Sequence, residues 1–350
     1  MSKINENLYN IFTKSIDTNN IKNVANKLNI STGTIKRWLE LKNIPIQYTF
    51  DIYKLLSINI NYDEYSFELK DQFFTPKDIA KKCWDIFLEK VKVNLENYTF
   101  IEPSAGDGVF LDYLPSNSIA LDIEPRAPNI IKQDYLLWEP NDKTKKYIVF
   151  GNPPFGLRGH LALNFINHSF NFADYVCFIL PQLFDSDGKG SPMKRIIGYS
   201  LIHSEKISTV FFNPKKEKIK VNCIFQIWSK YSKNNDRIKK LDNKDSKQNI
   251  KIYSLSNGGT ISSNRNINMI NKCDIYLPST CFGKNNMKPY DSFNELPNKR
   301  GYGIVFNSNK ENMIKKTKNI DWTKVSFLST NSALNLRTSI ILQTILSSNV

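Results

Sequence analysis

Four short apolar runs, each leading into an acid or an amide, limit the fold more than any other feature. Tyr98-Thr99-Phe100-Ile101 leads into Glu102 and Ile119-Ala120-Leu121 into Asp122. Ile130-Ile131-Lys132-Gln133 leads into Asp134, and Tyr147-Ile148-Val149-Phe150-Gly151 into Asn152. Short apolar runs bounded by turn residues read as buried strands. Their carboxyl ends are where open α/β sheets collect ligands. Thr75 and Pro76 predict a helix start, with Ala80, Trp84, Phe87 and Leu88 on one face. His160–Phe170 reads as a second helix, Tyr175–Leu180 as a strand, Pro181-Gln182 as a turn and Met193–Tyr199 as a short helix. Ile207–Phe212 and Val221–Trp228 read as two last strands joined by the basic hairpin loop that holds Lys215 and Lys216. Alternating β and α elements imply an α/β fold with a mostly parallel, doubly wound sheet and a terminal antiparallel hairpin.

The strand ends carry the chemistry. After the run 147–151 come Asn152, Pro153, Pro154 and Phe155. The prolines fix φ and lack N–H groups, so the carbonyls of the turn are free to accept. Asn152 adds a side-chain carbonyl, and Phe155 offers a flat apolar face. The set suits a planar group with an exocyclic amine, although a rigid Asn-Pro turn after a strand is also an ordinary structural device. Glu102 is followed by Ala105, Gly106 and Gly108, a turn that lets a ligand approach the backbone with a helix N-terminus behind it. A carboxylate at that strand end suits a cationic amine, not a pyrophosphate. Asp122 stands where a doubly wound fold places its ribose acid, and Asp134 can accept from an adenine amine.

The flanks differ from this middle. Residues 1–62 read as a small helical domain. Val24, Ala25 and Leu28 make one apolar face, Asn29 can end that helix in the left-handed conformation, and Ser31 or Thr32 can cap the next. Ile35, Trp38 and Leu39 form the second stripe. This looks like a helix-turn-helix whose second helix would present Thr34, Lys36 and Arg37 to phosphates or base edges; a packing hairpin has the same apolar pattern. Residues 63–230 form the α/β domain. Residues 231–350 hold 19 Lys and Arg against 8 Asp and Glu, +11 of the net +15, an asymmetry that suits a polyanion. Lys230–Asn249 reads as a polar connector. Asp274–Pro278 and Gly301–Phe306 read as strands, and Asn331–Leu346 as a terminal helix, giving a C-terminal α+β region. Lys288, Lys299 and Arg300 are residue types that contact phosphates and base edges.

Five scattered cysteines and three histidines predict no zinc site and reduced thiols. No stretch approaches the ~20 apolar residues of a membrane span, and the first residues lack the apolar core of a secretory signal. The expectation is a cytoplasmic protein, bacterial or, if viral, in the host cytoplasm or virion, with no membrane partner and no metal.

With these elements in order, the chain resembles the S-adenosylmethionine (SAM)-dependent N6-adenine DNA methyltransferases over roughly residues 70–230, in the group with a helix motif, cofactor loop, Asn-Pro-Pro-Phe and C-terminal target-recognition region. The resemblance implies a Rossmann-like methyltransferase fold, SAM as cofactor and double-stranded DNA as partner. Phe74, Thr75 and Pro76 match the motif beside the cofactor's methionine end. Glu102, Ala105, Gly106 and Gly108 match the loop that holds its amine. Asp122 matches the ribose acid, and Asp134 and Tyr135 the adenine-edge acid and its apolar neighbour. Asn152, Pro153, Pro154 and Phe155 match the catalytic tetrapeptide, whose Asn also lies beside the cofactor. In that family a second aromatic often comes from the loop between the last two strands; here the loop is Lys-rich, and only Phe211 and Phe212 precede it. Methylation of RNA or of protein glutamine, and a non-catalytic DNA-binding regulator, remain as alternatives. The recognition sequence, a companion restriction endonuclease and the oligomeric state stay open, a monomer being sufficient.

Overall fold

The computed structural model describes residues 3–15, 20–28, 30–186, 191–231, 249–259, 263–328 and 333–347. Contacts divide the chain into two units. One comprises residues 1–180, 195–220 and 225–233, the other residues 181–194, 221–224 and 234–350. Residues 1–62 therefore share a unit with the strand ends singled out above.

The first unit starts with four helices, α1 (Lys3–Ser15), α2 (Ile21–Lys27), α3 (Thr32–Leu41) and α4 (Thr49–Leu55). Ala25, Leu28, Ile35, Trp38 and Ile52 close into one apolar cluster with Leu8 and Phe12. Of the two candidate caps for α3, Ser31 is the one used: its side chain accepts from the Thr34 N–H at 3.1 Å. Asn29 lies outside the described residues. α5 (Lys77–Lys90) begins one residue after Pro76, and Thr75 does not cap it.

The central sheet has the order β3-β2-β1-β4-β5-β7-β6. Its strands are β1 (Tyr98–Glu102), β2 (Ile119–Asp122), β3 (Ile131–Lys132), β4 (Lys146–Gly151), β5 (Ala173–Pro181), β6 (Ser200–Phe212) and β7 (Lys218–Ser229). β3/β2, β2/β1, β1/β4 and β4/β5 pair in parallel, with Ile101 opposite Ile119 on one side and Val149 on the other. The chain runs outward from β1 through β2 to β3, then returns to β4 on the other side. That reversal between β1 and β4 is the switch point of an open α/β sheet. β6 and β7 are neighbours joined by a short loop, which requires an antiparallel hairpin. α6 (His160–Ser169) covers the β4–β5 crossover.

The helix expected after the glycine turn is not formed. Val109–Asp112 makes only a four-residue 3-10 turn. Pro115 follows too closely: its ring and missing N–H end any helix before a second turn can build. β6 begins at Ser200, upstream of the expected Ile207. The helix expected over 193–199 is a 3-10 turn at Pro192–Arg195.

Phe150 of β4 sits among the rings of Trp84, Phe110 and Phe225 at 5.8, 5.5 and 5.7 Å, and Phe87 at 5.7 Å completes the cage. Three of these contacts are edge-on and that with Phe225 is tilted, and such ring pairs add to the burial of each ring.

The second unit holds an antiparallel sheet β8-β11-β9, from β8 (Ile250–Ser256), β9 (Ile275–Pro278) and β11 (Arg300–Phe306), and a smaller one, β10-β13-β12, from β10 (Thr280–Cys281), β12 (Phe327–Leu328) and β13 (Leu334–Asn335). α7 (Lys310–Asn319) and α8 (Thr338–Ser347) complete it, around a core that includes Ile304, Trp322 and Ile341. The terminal helix starts later than expected because β13 precedes it. Residues 331–332, and 232–248 of the expected connector, lie outside the described residues. No helix among those described is long and apolar enough to cross a membrane.

Phe150→Ala should lower the stability of the first unit by about 3–5 kcal/mol, read from chemical denaturation followed by tryptophan fluorescence.

Candidate functional site

Glu102 and Asn152 emerge from β1 and β4, the pair that flanks the switch point. Glu102 is 1% exposed. Its Oε2 and the Oδ1 of Asn152 are buried side-chain oxygens with no hydrogen-bond partner. Burial, then the charges of Asp107 and Asp122, push the Glu102 carboxyl well above the ordinary carboxylate range. Asn152 is held by its other end: Nδ2 donates to Thr75 Oγ1 at 3.1 Å. The threonine expected as a helix cap thus orients the amide, leaving Oδ1 free. The Asn152 main-chain carbonyl accepts from Ser104 Oγ at 3.1 Å, tying the loop after β4 to the loop after β1.

The glycine turn is built by its neighbours. Gly106 and Gly108 have φ of 53° and 82°, a region glycine enters without strain. A Cβ on Gly106 would lie 3.1 Å from the Phe74 ring, so Phe74 closes over the backbone. Ala105 is buried in the same turn, and its N–H donates to Leu121 O at 2.9 Å. Asp122 accepts from the Gly106 and Glu124 amides, each at 2.7 Å. Burial raises the Asp122 carboxyl, with those two amides pulling the other way.

Asp134 lies at the outer strand. Its Oδ1 accepts from Leu136 N at 3.0 Å, and its Oδ2 pairs with Lys54 Nζ of α4 at 2.6 Å. Tyr135 is closed into the core: it is 1% exposed, and its hydroxyl meets Ser169 Oγ at 2.6 Å. Its ring offers no free face. Phe211 is likewise core at 1% exposure. Phe212 pairs its backbone with Phe74, N–H to O at 2.7 and 3.1 Å, which joins the end of β6 to the Phe74–Pro76 segment.

Asp71 was not among the expected site residues. It accepts from the N–H groups of both Phe155 and Gly156, the latter at 2.7 Å, so it clamps the tetrapeptide's far end. Burial raises its carboxyl against the opposing pull of these amides. Its φ of 56° is rare for a non-glycine residue, although Asp tolerates it. Its neighbours Lys70 and Gln72 both reach Glu124, at 2.8 and 2.6 Å. The sequence signal was its place just before Gln72-Phe73-Phe74-Thr75-Pro76, with nothing to reveal its partner.

A cleft of about 440 Å³ opens nearby, lined by Tyr65, Phe67, Lys70, Gln72, Arg126 and Lys215. Neither Glu102 nor Asn152 lines it; the buried orphan oxygens identify the site better than this volume does. Lys215 lies over the Phe67 ring at 5.5 Å. Lys36, Arg37, Lys215 and Lys216 are exposed in the first unit, and Thr34 is half-buried. Lys288, Lys299 and Arg300 are exposed in the second. Among the described residues no cluster of His, Cys, Asp or Glu is arranged to hold a metal ion.

No family model matches the chain, and no curated protein matches it. Solved structures give distant likenesses. A Pyrococcus horikoshii protein described as an RNA methyltransferase is 17% identical, with a TM-score of 0.36 over 50% of this chain and 94% of that one. The 23S rRNA methyltransferase ErmE is 13% identical, with a TM-score of 0.33 over 46% and 71%. A chain of a type I R-M system is 12% identical, with a TM-score of 0.32 over 53% and 46%. At these identities and scores the likenesses carry no argument, and the α/β assignment rests on the strand order itself.

Asp71→Ala should cost about 1–3 kcal/mol for each amide left without an acceptor, while Asp71→Asn, which keeps an acceptor oxygen, should cost less. Denaturant titration of both variants measures the difference.

Proposed function

We propose that this chain is a SAM-dependent methyltransferase acting on an adenine N6 amine in double-stranded DNA. The observation that carries the reading is the pair of buried, unpartnered oxygens, Glu102 Oε2 and Asn152 Oδ1, at the two strand ends beside the switch point. A buried acceptor without a donor costs about 1–3 kcal/mol. Two of them at a ligand-binding position are best explained by donors that arrive with ligands.

The residues fit the cofactor at its amino-acid end. Glu102 suits the ammonium, the open backbone of Gly106 and Gly108 the close approach, and Phe74, Thr75 and Pro76 the adjoining wall. Asp122 has lone pairs left for ribose hydroxyls, since a carboxylate accepts more than two hydrogen bonds. At the adenine end, Asp134 already serves Leu136 and Lys54, and Tyr135 is buried, so that part of the pocket is proposed from the remaining lone pairs of Asp134. When bound, SAM supplies an electrophilic methyl group on a sulfonium. This chain's own task is to make the amine nucleophilic. The nitrogen lone pair of an adenine amine is delocalised into the ring. Asn152 Oδ1 and the Pro153 carbonyl accept hydrogen bonds from its two N–H groups and draw the nitrogen toward tetrahedral geometry, localising the pair. Pro154 stiffens the turn, and Phe155 supports the base, which must leave the duplex to reach this depth.

The preference for DNA rests on the resemblance of residues 70–230 together with the charge distribution. Exposed Lys36 and Arg37 on α3 make residues 1–62 a DNA contact, and Lys215 and Lys216 add to it. The basic residues 231–350, with Lys288, Lys299 and Arg300, make a target-recognition region. Methylation of RNA or of protein glutamine is the second reading, since the same acceptor pair suits any planar amine or amide.

Incubation with labelled SAM and duplex DNA, RNA or protein decides between them; label recovered as N6-methyladenine in DNA is expected, and label confined to RNA or protein would overturn the DNA reading. Asn152→Ala should reduce transfer on the order of a hundredfold or more, with SAM affinity little changed. Glu102 generates a pH prediction. Burial raises its pKa in the free protein, so the stability it contributes is fully present below the ordinary carboxylate range and is lost as pH rises from there through the raised value. Pairing with an ammonium favours the carboxylate, so SAM binding should release a proton and tighten as pH rises through that value. Calorimetry in buffers of different ionisation enthalpy should show the release, and Glu102→Gln should abolish it.

A further inference from the structure

The turn after Phe155 is gripped from a second direction by residues that the proposed chemistry does not use. His160 places Nδ1 3.0 Å from the Leu157 carbonyl and Nε2 2.8 Å from Asp51 Oδ2. Each ring nitrogen thus has an oxygen partner on a different element, and the pair is sheltered, with side chains only 4% and 16% exposed. The imidazole is seated under the turn itself. A Cβ at Gly156 would come within 2.6 Å of its Cε1, and the Tyr48 ring packs on it at 4.7 Å. Leu157 packs against the apolar cluster of the helical bundle. One turn along α4 from Asp51, Lys54 reaches Asp134. Burial disfavours the Lys54 ammonium, but Asp134, Tyr62 and Asp51 together outweigh it and raise its pKa. A single short helix therefore reaches both the loop after β3 and the turn after β4.

We propose that Asp51 and His160 are positioning residues for the Asn152 turn, so that the N-terminal helical bundle is a working part of the transfer site. This rests on the reading of Asn152 as the residue that activates the target amine. Asp71 holds the N–H side of the turn and His160 its carbonyl side. Between the two grips, the backbone following Phe155 has one conformation. Misplacing acceptors by a fraction of an ångström weakens the alignment that transfer needs, without removing any group that touches cofactor or base. A hydrogen-bonded pair that merely docked the bundle would lower stability when cut and leave turnover per folded molecule unchanged.

The experiment uses the full chain and three variants, Asp51→Asn, Asp51→Glu and His160→Gln. Asp51→Asn keeps shape and one acceptor but removes the charge. It should lower kcat on the order of tenfold to a hundredfold with KM for SAM and for DNA little changed. Asp51→Glu should recover part of that loss. Combining Asp51→Asn with His160→Gln should be no worse than His160→Gln alone, because the two act as one unit. Hydrogen exchange, followed by residue, gives a readout independent of activity: the Phe155, Gly156 and Gly159 amides should exchange faster in Asp51→Asn while those around Trp38 and Ile52 stay protected. Wild-type kcat and unchanged exchange at 155–159 in that variant would overturn the proposal. If protection around Trp38 and Ile52 is lost as well, the bundle has only been unfolded by the substitution, and His160→Gln then decides: faster exchange confined to the turn upholds the brace, and wild-type exchange there overturns it. A wild-type protein that transfers no methyl group to any substrate removes the functional reading instead, and the exchange pattern alone then upholds or overturns the brace.

Discussion

β1 and β4 lie side by side and parallel, with Phe100 opposite Ile148 and Ile101 opposite Val149. The rest of the site depends on that pairing. It brings Glu102 and Asn152 to one edge although β2, β3 and their loops intervene in the chain. Both strands are buried almost throughout, so their polar ends are carried into a place that water barely reaches. There burial raises the pKa of a carboxyl, and one carboxyl oxygen and one amide oxygen are left without a donor. In water neither atom would be remarkable. The low dielectric of the setting turns them into strong, selective acceptors.

The sheet was legible because its strands are short, apolar and end in polar residues, a pattern that depends on neighbours in the sequence. The strand ends Glu102, Asp122 and Asn152 fell where the runs implied. What the sequence hid was everything decided by distant partners. Thr75 has the right type and place to cap α5, yet Asn152 from another strand takes its hydroxyl. Asp134 looked free, and a lysine from residues read as a separate helical domain occupies one of its oxygens. Tyr135, read as the apolar neighbour of Asp134, is 1% exposed and bonds to Ser169. The missing helix after Gly108 was readable in principle, since Pro115 leaves too few residues for two turns. The upstream part of β6, Ser200–Lys206, mixes Ser, His, Glu and Lys with apolar residues, and only its partners in the sheet define it as strand.

The helical bundle joins the sheet through ionic contacts as well as apolar ones. Cutting one partner of a sheltered polar or charged pair leaves the other group without compensation, whereas an apolar contact loses only its area. Asp51–His160 and Lys54–Asp134 therefore make docking of the bundle specific in register and sensitive to single substitutions. The exposed face of α3, with Lys36 and Arg37, is carried by the same helical core that anchors these pairs.

Residues 70–76 show what such wiring does to the chain's tolerance of change. Within this stretch Lys70 and Gln72 reach the loop after β2, Asp71 reaches the turn after β4, Phe74 covers the loop after β1 and pairs with the end of β6, and Thr75 holds Asn152. The contacts are spread over five residues, Lys70, Asp71, Gln72, Phe74 and Thr75, so the stretch works as a ruler whose marks must coincide with four separate strand ends. Adding or deleting one residue would shift every mark beyond it together. Length variation among related chains is therefore expected to collect in segments such as 139–145, which are largely exposed, and to spare the ruler even where its side chains drift.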